Sequence, residues 1–203
     1  MPIKVTLVGH SYVRRLMEYR ANSGENESRI TVDGVVFDLE YVHKGGCGYK
    51  FFNSSDHHKK QIVGSRPDIV LVILGGNGVS SEMSIPDVSQ KMRDFHTWLR
   101  LACPNAVIIA SESEPRYNKN PNERGEVVSE SHWVRRNAFN HAVGRMLARR
   151  RCDYVLRTAR YLNHREFYGR SGVHLNDRGN RFYWGLVKET LMGALLKYPL
   201  VRN

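Results

Sequence analysis

The chain predicts an α/β fold: a three-layer α/β/α sandwich with about five parallel strands. Three observations carry this. Strand-length apolar runs alternate with helix-period segments along all 203 residues. Asp68-Ile69-Val70-Leu71-Val72-Ile73-Leu74 is apolar after its first residue, as a strand buried on both faces should be. The helical segments between runs are long enough to cover a parallel sheet on both sides.

Taken in order, residues 3–8 read as the first strand, stopped by Gly9, and residues 11–20 as the first helix. Residues 22–28 are polar and read as a surface turn. A weaker strand region covers 30–42, and the third strand is 69–74. Residues 85–102 form a helix with Pro86 near its start and Val88, Met92, Phe95, Trp98 and Leu99 at helical spacing. A strand follows at 107–110. Residues 112–127, rich in Asn, Pro, Glu and Gly, read as a functional loop over a site. Helix 129–150 places Val134, Phe139, Val143 and Leu147 on one side. After a short strand at 154–156, helix 177–198 carries Phe182, Leu186, Leu191 and Leu195, with Asn176 as its N-cap. A single domain, 1–203, accounts for the whole.

Lys and Arg number 31 against 20 Asp and Glu, a formal charge of +11. Basic residues cluster at Arg14-Arg15, His57-His58-Lys59-Lys60, Arg135-Arg136 and Arg149-Arg150-Arg151. Such a surface suits nucleic acid or another polyanion, or is simply a solvated basic face. Aromatics do not alternate with the basic residues as a single-strand platform requires. No run reaches the roughly 18 apolar residues needed to cross a bilayer, and the first run is too short and β-branched for a secretory signal. The expected location is cytoplasmic, with a nuclear or ribonucleoprotein setting as the alternative. Cys47, Cys103 and Cys152 are expected to be reduced thiols, the last two in packing roles and Cys47 in an accessible glycine-rich loop. His57-His58, read as extended, would point to opposite sides, so no metal site and no cofactor is expected. Gly45–Gly48 lacks the GK[ST] ending of a phosphate loop.

Four loops fall where an α/β enzyme binds ligands, at strand ends or before a helix: Gly9-His10-Ser11, Lys44-Gly45-Gly46-Cys47-Gly48, Gly75-Gly76-Asn77-Gly78 and Ser171-Gly172-Val173-His174-Leu175-Asn176. Ser11 offers a hydroxyl nucleophile at a helix N-terminus, or simply an N-cap. His174 offers an imidazole suited to general base and then general acid. The Ser11 N–H, a glycine N–H from Gly45 or Gly46, and the Asn77 amide are the expected oxyanion donors. Asn77 has the alternative of a turn residue, and the glycines that of a tight turn.

In this order the residues resemble the SGNH or GDSL-type hydrolases. The resemblance implies a serine esterase or acyl hydrolase on a flavodoxin-like sandwich, acting on an ester substrate. It maps the nucleophile onto Ser11, the oxyanion glycine onto Gly46, the asparagine onto Asn77 and the base onto His174. More narrowly, Val8–Leu16 and Gly172–Asn176 resemble esterase-like domains found in some LINE-type retrotransposons of animals. His10 and Gly78 depart from the family's aspartates. Ser171 departs more seriously, because the family normally has an acid three positions before the histidine. Losing a triad acid costs about 10⁴-fold in turnover. Three outcomes follow: a Ser11–His174 dyad with the imidazole held by Ser171 or a backbone carbonyl; a substitute carboxylate from Glu112, Glu114, Glu166 or Asp177; or a degenerate module that binds nucleic acid or another polyanion.

Overall fold

The computed structural model describes residues 1–81, 83–117 and 130–199. Six strands form one sheet: β1 (Ile3–Gly9), β2 (Arg29–Val32), β3 (Val35–His43), β4 (Ile69–Ile73), β5 (Val107–Ser111) and β6 (Tyr154–Leu156). Their order is β2-β3-β1-β4-β5-β6, and every neighbouring pair is parallel except β2–β3. The five parallel strands follow the flavodoxin-like order, with the chain reversing its direction of travel across the sheet at β1.

The sixth strand comes from residues 30–42, which the sequence suggested as one weak strand. The stretch instead folds as a hairpin on Asp33-Gly34, both with positive φ (48° and 79°). Two such residues form the tight turn whose twist matches that of the flanking strands.

Helices cover both faces: α1 (Ser11–Asn22), α2 (Tyr49–Ser54), α3 (Asp56–Gly64), α4 (Gly75–Val79), α5 (Ile85–Ala102), α6 (Glu130–Ala148) and α7 (Asp177–Lys197). Strand alternation sorts the two cores. Leu71 and Ile73 of β4 pack with Tyr12, Val13 and Leu16 of α1 and Tyr183 and Leu191 of α7. Val70 and Val72 pack on the opposite face with Phe52, Ile62, Phe95, Leu99, Phe139 and Val143. Each such large side chain contributes about 1.5–3 kcal/mol by leaving water. Ser84 caps α5, its hydroxyl accepting from the Asp87 N–H at 3.2 Å, and Pro86 occupies the first turn where no donor is lost.

Several expectations change. Asn22 ends α1 rather than opening the turn. His57 and His58 lie on α3, not in an extended segment; among the described residues no group of His, Cys, Asp or Glu is arranged to hold a metal ion. Val134 is exposed, because the buried face of α6 runs through Phe139, Ala142, Val143 and Met146. Phe182 is also exposed, though it stacks on Phe167 at 5.1 Å. Cys103 and Cys152 are buried thiols, and Cys47 is half-buried. Of the basic clusters, Arg135 is spent internally on the carbonyls of Val79, Ser81 and Met83, and Arg136 stacks over Trp133 at 4.2 Å. Lys60 and Arg149, Arg150 and Arg151 are exposed. No helix among the described residues is long and apolar enough to cross a membrane.

Candidate active site

The parallel strands deliver their carboxyl ends to one edge of the sheet. Gly9 pairs with His43 on one side and Ile73 on the other. The loops that follow β1, β3 and β4 therefore meet. Gly9 itself must be small: a Cβ there would stand 2.5 Å from Val13 Cγ2 and 2.6 Å from the Ile73 carbonyl. Close approach of α1 to the sheet fixes where the next residues emerge.

His10 caps α1, its Nδ1 accepting from the Tyr12 N–H at 3.3 Å. The cap is therefore His10, and Ser11 is the first helical residue. In that position the Ser11 N–H has no carbonyl one turn back to receive it and stays available at the positive end of the helix. Burial pushes the His10 imidazole down to about 3, with Arg116 and His174 adding to the effect. It is a neutral strut rather than an acid or base.

Ser11 Oγ lies 3.1 Å from His174 Nε2. Residues 163 positions apart thus form one hydrogen-bonded pair. The loop bearing His174 is held mainly through its backbone. Tyr12 donates its hydroxyl to the Val173 carbonyl at 2.8 Å, the Tyr117 N–H donates to Gly172 at 2.7 Å, and the Gly169 N–H donates to the His174 carbonyl at 2.9 Å. Asn176 caps α7, as expected, accepting from the Gly179 N–H at 2.9 Å.

Asn77 is oriented from both ends of its amide. Nδ2 donates to the Cys47 carbonyl at 2.9 Å, and Oδ1 accepts from Arg116 Nη2 at 2.8 Å. Only one placement of O and N satisfies both partners. The second Nδ2 hydrogen remains for another acceptor. Gly75–Gly78 belongs to a short helix, α4, not to a turn. The Cys47 contact ties this helix to the loop carrying Gly46. Gly46 has φ +74°, a conformation that strains a side chain, whereas the competing Gly45 does not have positive φ.

Among the described residues the missing acid is not replaced by a direct contact. Ser171 Oγ accepts from the Val173 N–H at 3.3 Å, within its own turn. Glu112 receives the Thr158 and Ala159 N–H groups and pairs with Arg157; Glu166 pairs with Arg178; Asp177 opens α7. Glu114 is buried, where desolvation pushes its carboxyl up to about 7 despite a main-chain donor, the Tyr183 hydroxyl and Arg116. Among the described residues, none of these carboxylates is bonded to His174. Burial, then Arg15, Arg116 and Arg14, hold the imidazole down to about 4. The pair sits in a positive field.

Two supports were not singled out in the sequence. Tyr12 figures there only within Val8–Leu16, with no role of its own. Arg116 lies in the stretch 112–127 expected to cover a site; its guanidinium does reach Asn77, and 118–127 lie outside the described residues.

Neither a scan against protein-family models nor a search of curated proteins gives a match. Solved structures do match. A carbohydrate esterase family 3 from Talaromyces cellulolyticus superposes with a TM-score of 0.67 at 17% identity, over 96% of this chain and 98% of that one. An acetyl esterase mutant with acetate ion gives 0.66 at 16%, over 96% and 98%. A GDSL-like lipase from Bacteroides thetaiotaomicron gives 0.63 at 10%, over 96% and 88%. Over the matched 96% this chain has their α/β fold, as the resemblance in its loops implied.

Proposed function

We propose that the chain is a serine esterase that cleaves a carboxylic ester through an acyl-enzyme on Ser11, with His174 as base and then acid. The observation that carries this reading is the 3.1 Å contact between Ser11 Oγ and His174 Nε2. The fold shared with esterases and a GDSL-like lipase supports it.

Chemistry follows from the arrangement. With Nδ1 protonated, Nε2 accepts the Ser11 proton as Oγ attacks the carbonyl carbon. The resulting oxyanion takes hydrogen bonds from the Ser11 N–H, the Gly46 N–H and Asn77 Nδ2. One such donor is worth about 3 kcal/mol of barrier. The carbon–oxygen bond to the alcohol breaks as Nε2 returns the proton to the leaving oxygen. Water then repeats the sequence: its proton passes to Nε2, its oxygen bonds to the acyl carbon, and Ser11 leaves reprotonated. A cavity of about 150 Å³ beside the oxyanion donors is lined by Gly46, Tyr49, Asn77, Met83, Val88 and Lys91. At about 30 Å³ per water in the liquid, that is room for about five waters, which suits a short acyl group.

The working unit is a dyad. No cofactor is called on by these steps. Fluorophosphonate labelling and 4-nitrophenyl acetate hydrolysis, wild type against Ser11→Ala, test the reading. A Ser11-dependent adduct and turnover are expected. With neither, the reading falls, and binding of a polyanion by the exposed basic residues takes its place.

A further inference from the structure

Hydrolysis of a neutral ester needs no cation beside the base, yet among the described residues the charges of Arg14 and Arg15 of α1, and of Arg116 after β5, all act on His174. Other titratable neighbours among the described residues are Tyr12, with ring centroids 6.2 Å apart, and the neutral His10. Arg116 is engaged by Asn77. Arg14 and Arg15 follow Ser11 by three and four positions and so share its helix face. Helical side chains lean toward the N-terminus, here over the serine. Arg14 is exposed and only loosely paired with Glu18 at 3.6 Å. Arg15 is half-buried, and its Nε is sealed from solvent with no hydrogen-bond partner among the described residues. An unmet donor of this kind is unfavourable until an acceptor arrives.

The leaving oxygen must face His174, which protonates it. The alcohol portion of the substrate therefore lies on the side these arginines occupy. We propose, building on the serine-esterase reading, that the ester cleaved here carries a negative charge on its alcohol portion, a carboxylate, sulfate or phosphate, received by Arg15 with Arg14 beside it. The same anion offsets the cations that make the imidazole a poor base. The substrate then supplies beside the histidine the negative charge that residue 171 does not.

The test pairs 4-acetoxybenzoate with methyl 4-acetoxybenzoate, which differ in charge at the same position. 4-Acetoxybenzenesulfonate and 4-acetoxyphenyl phosphate separate the kinds of anion. At low salt, kcat/KM is expected to favour the anions about five- to tenfold, an advantage that shrinks at about 0.5 M salt. Arg15→Gln is expected to abolish the preference and Arg15→Lys to retain most of it. Arg15→Gln should also move the acid limb of the methyl ester's kcat/KM profile to higher pH, which a merely structural role would not do. Equal turnover of charged and neutral esters, or equal loss of both in Arg15→Gln, overturns the proposal and leaves the esterase standing. If nothing is turned over, the esterase reading fails by itself, and titration of Ser11→Ala with the same compounds decides the charge question. Tighter binding of the anions that is lost in the Ser11→Ala/Arg15→Gln double variant supports it; equal affinity, or no binding, overturns it.

Discussion

Ser171→Asp is the sharpest perturbation of this site. The carboxylate would stand three positions before His174, where the family resemblance places an acid. One oxygen can keep the Val173 N–H that Ser171 Oγ now accepts at 3.3 Å. The other is then free for the imidazole Nδ1–H. The gain can be sized from the imidazole itself, held at about 4 against an ordinary value of 6.5. A gap of about 2.5 pH units corresponds to about 3.4 kcal/mol of disfavoured imidazolium. Solvent around this half-buried ring screens roughly half of that, leaving about 1.5–2 kcal/mol for a new carboxylate to recover. The variant should therefore hydrolyse 4-nitrophenyl acetate about ten- to thirtyfold faster in kcat. The acid limb of its kcat/KM profile should rise from near 4 toward 6.5, because a neighbouring carboxylate favours the protonated ring. Stopped assays across pH 3.5–8 at constant ionic strength, with circular dichroism to verify folding, measure both. A folded Ser171→Asp protein with neither faster turnover nor a displaced limb would refute the claim that the missing acid is what limits this dyad.

Other outcomes follow from the same geometry. Tyr12→Phe removes the 2.8 Å hydrogen bond to the Val173 carbonyl; it should cost about 1 kcal/mol in denaturant unfolding and lower kcat more than it raises KM. Arg116→Ala frees the Asn77 amide and should slow fluorophosphonate labelling of Ser11 by about 10²-fold, comparable to losing one oxyanion donor. Gly9→Ala forces a methyl against Val13 and the Ile73 carbonyl, and should destabilise by about 1–3 kcal/mol, read as a fall in Tm. Glu114 has its folded pKa raised to about 7 from 4.5. The folded state thus binds the extra proton between these values, and its stability falls as pH rises from 4.5 to 7. Glu114→Gln should flatten that decline, by up to about 3 kcal/mol in unfolding free energy at pH 8; identical pH dependence in both proteins would sink this account.

Long, strongly patterned elements were legible in the sequence. The 69–74 run could be read because a doubly covered strand has to be apolar throughout, and α5 because Val88, Met92, Phe95 and Leu99 keep one face. The hairpin at Asp33-Gly34 was hidden by the weakness of the run around it, although the dipeptide itself is a turn signal. Ser11, Asn77 and His174 could be singled out as candidates because each lies shortly after a strand or shortly before a helix, in a stretch that local pattern marks. What they touch could not. The bond from Arg116 to Asn77 joins positions 39 apart, and that from Tyr12 to Val173 joins positions 161 apart. Both depend on how loops from different strands meet, which periodicity does not encode. The positive surroundings of His174 were likewise invisible, because the net charge does not say which arginines lie near the imidazole.

The backbone moorings of the His174 loop also bear on how such a site tolerates change. Tyr12, Tyr117 and Gly169 grip the loop through the carbonyls of Val173, Gly172 and His174. Every residue type has a carbonyl, so mutation at position 171 leaves those three grips in place. The position of the imidazole is thereby uncoupled from the chemistry that tunes it. The charge beside the imidazole can therefore be changed at 171 with the loop's three backbone hydrogen bonds kept.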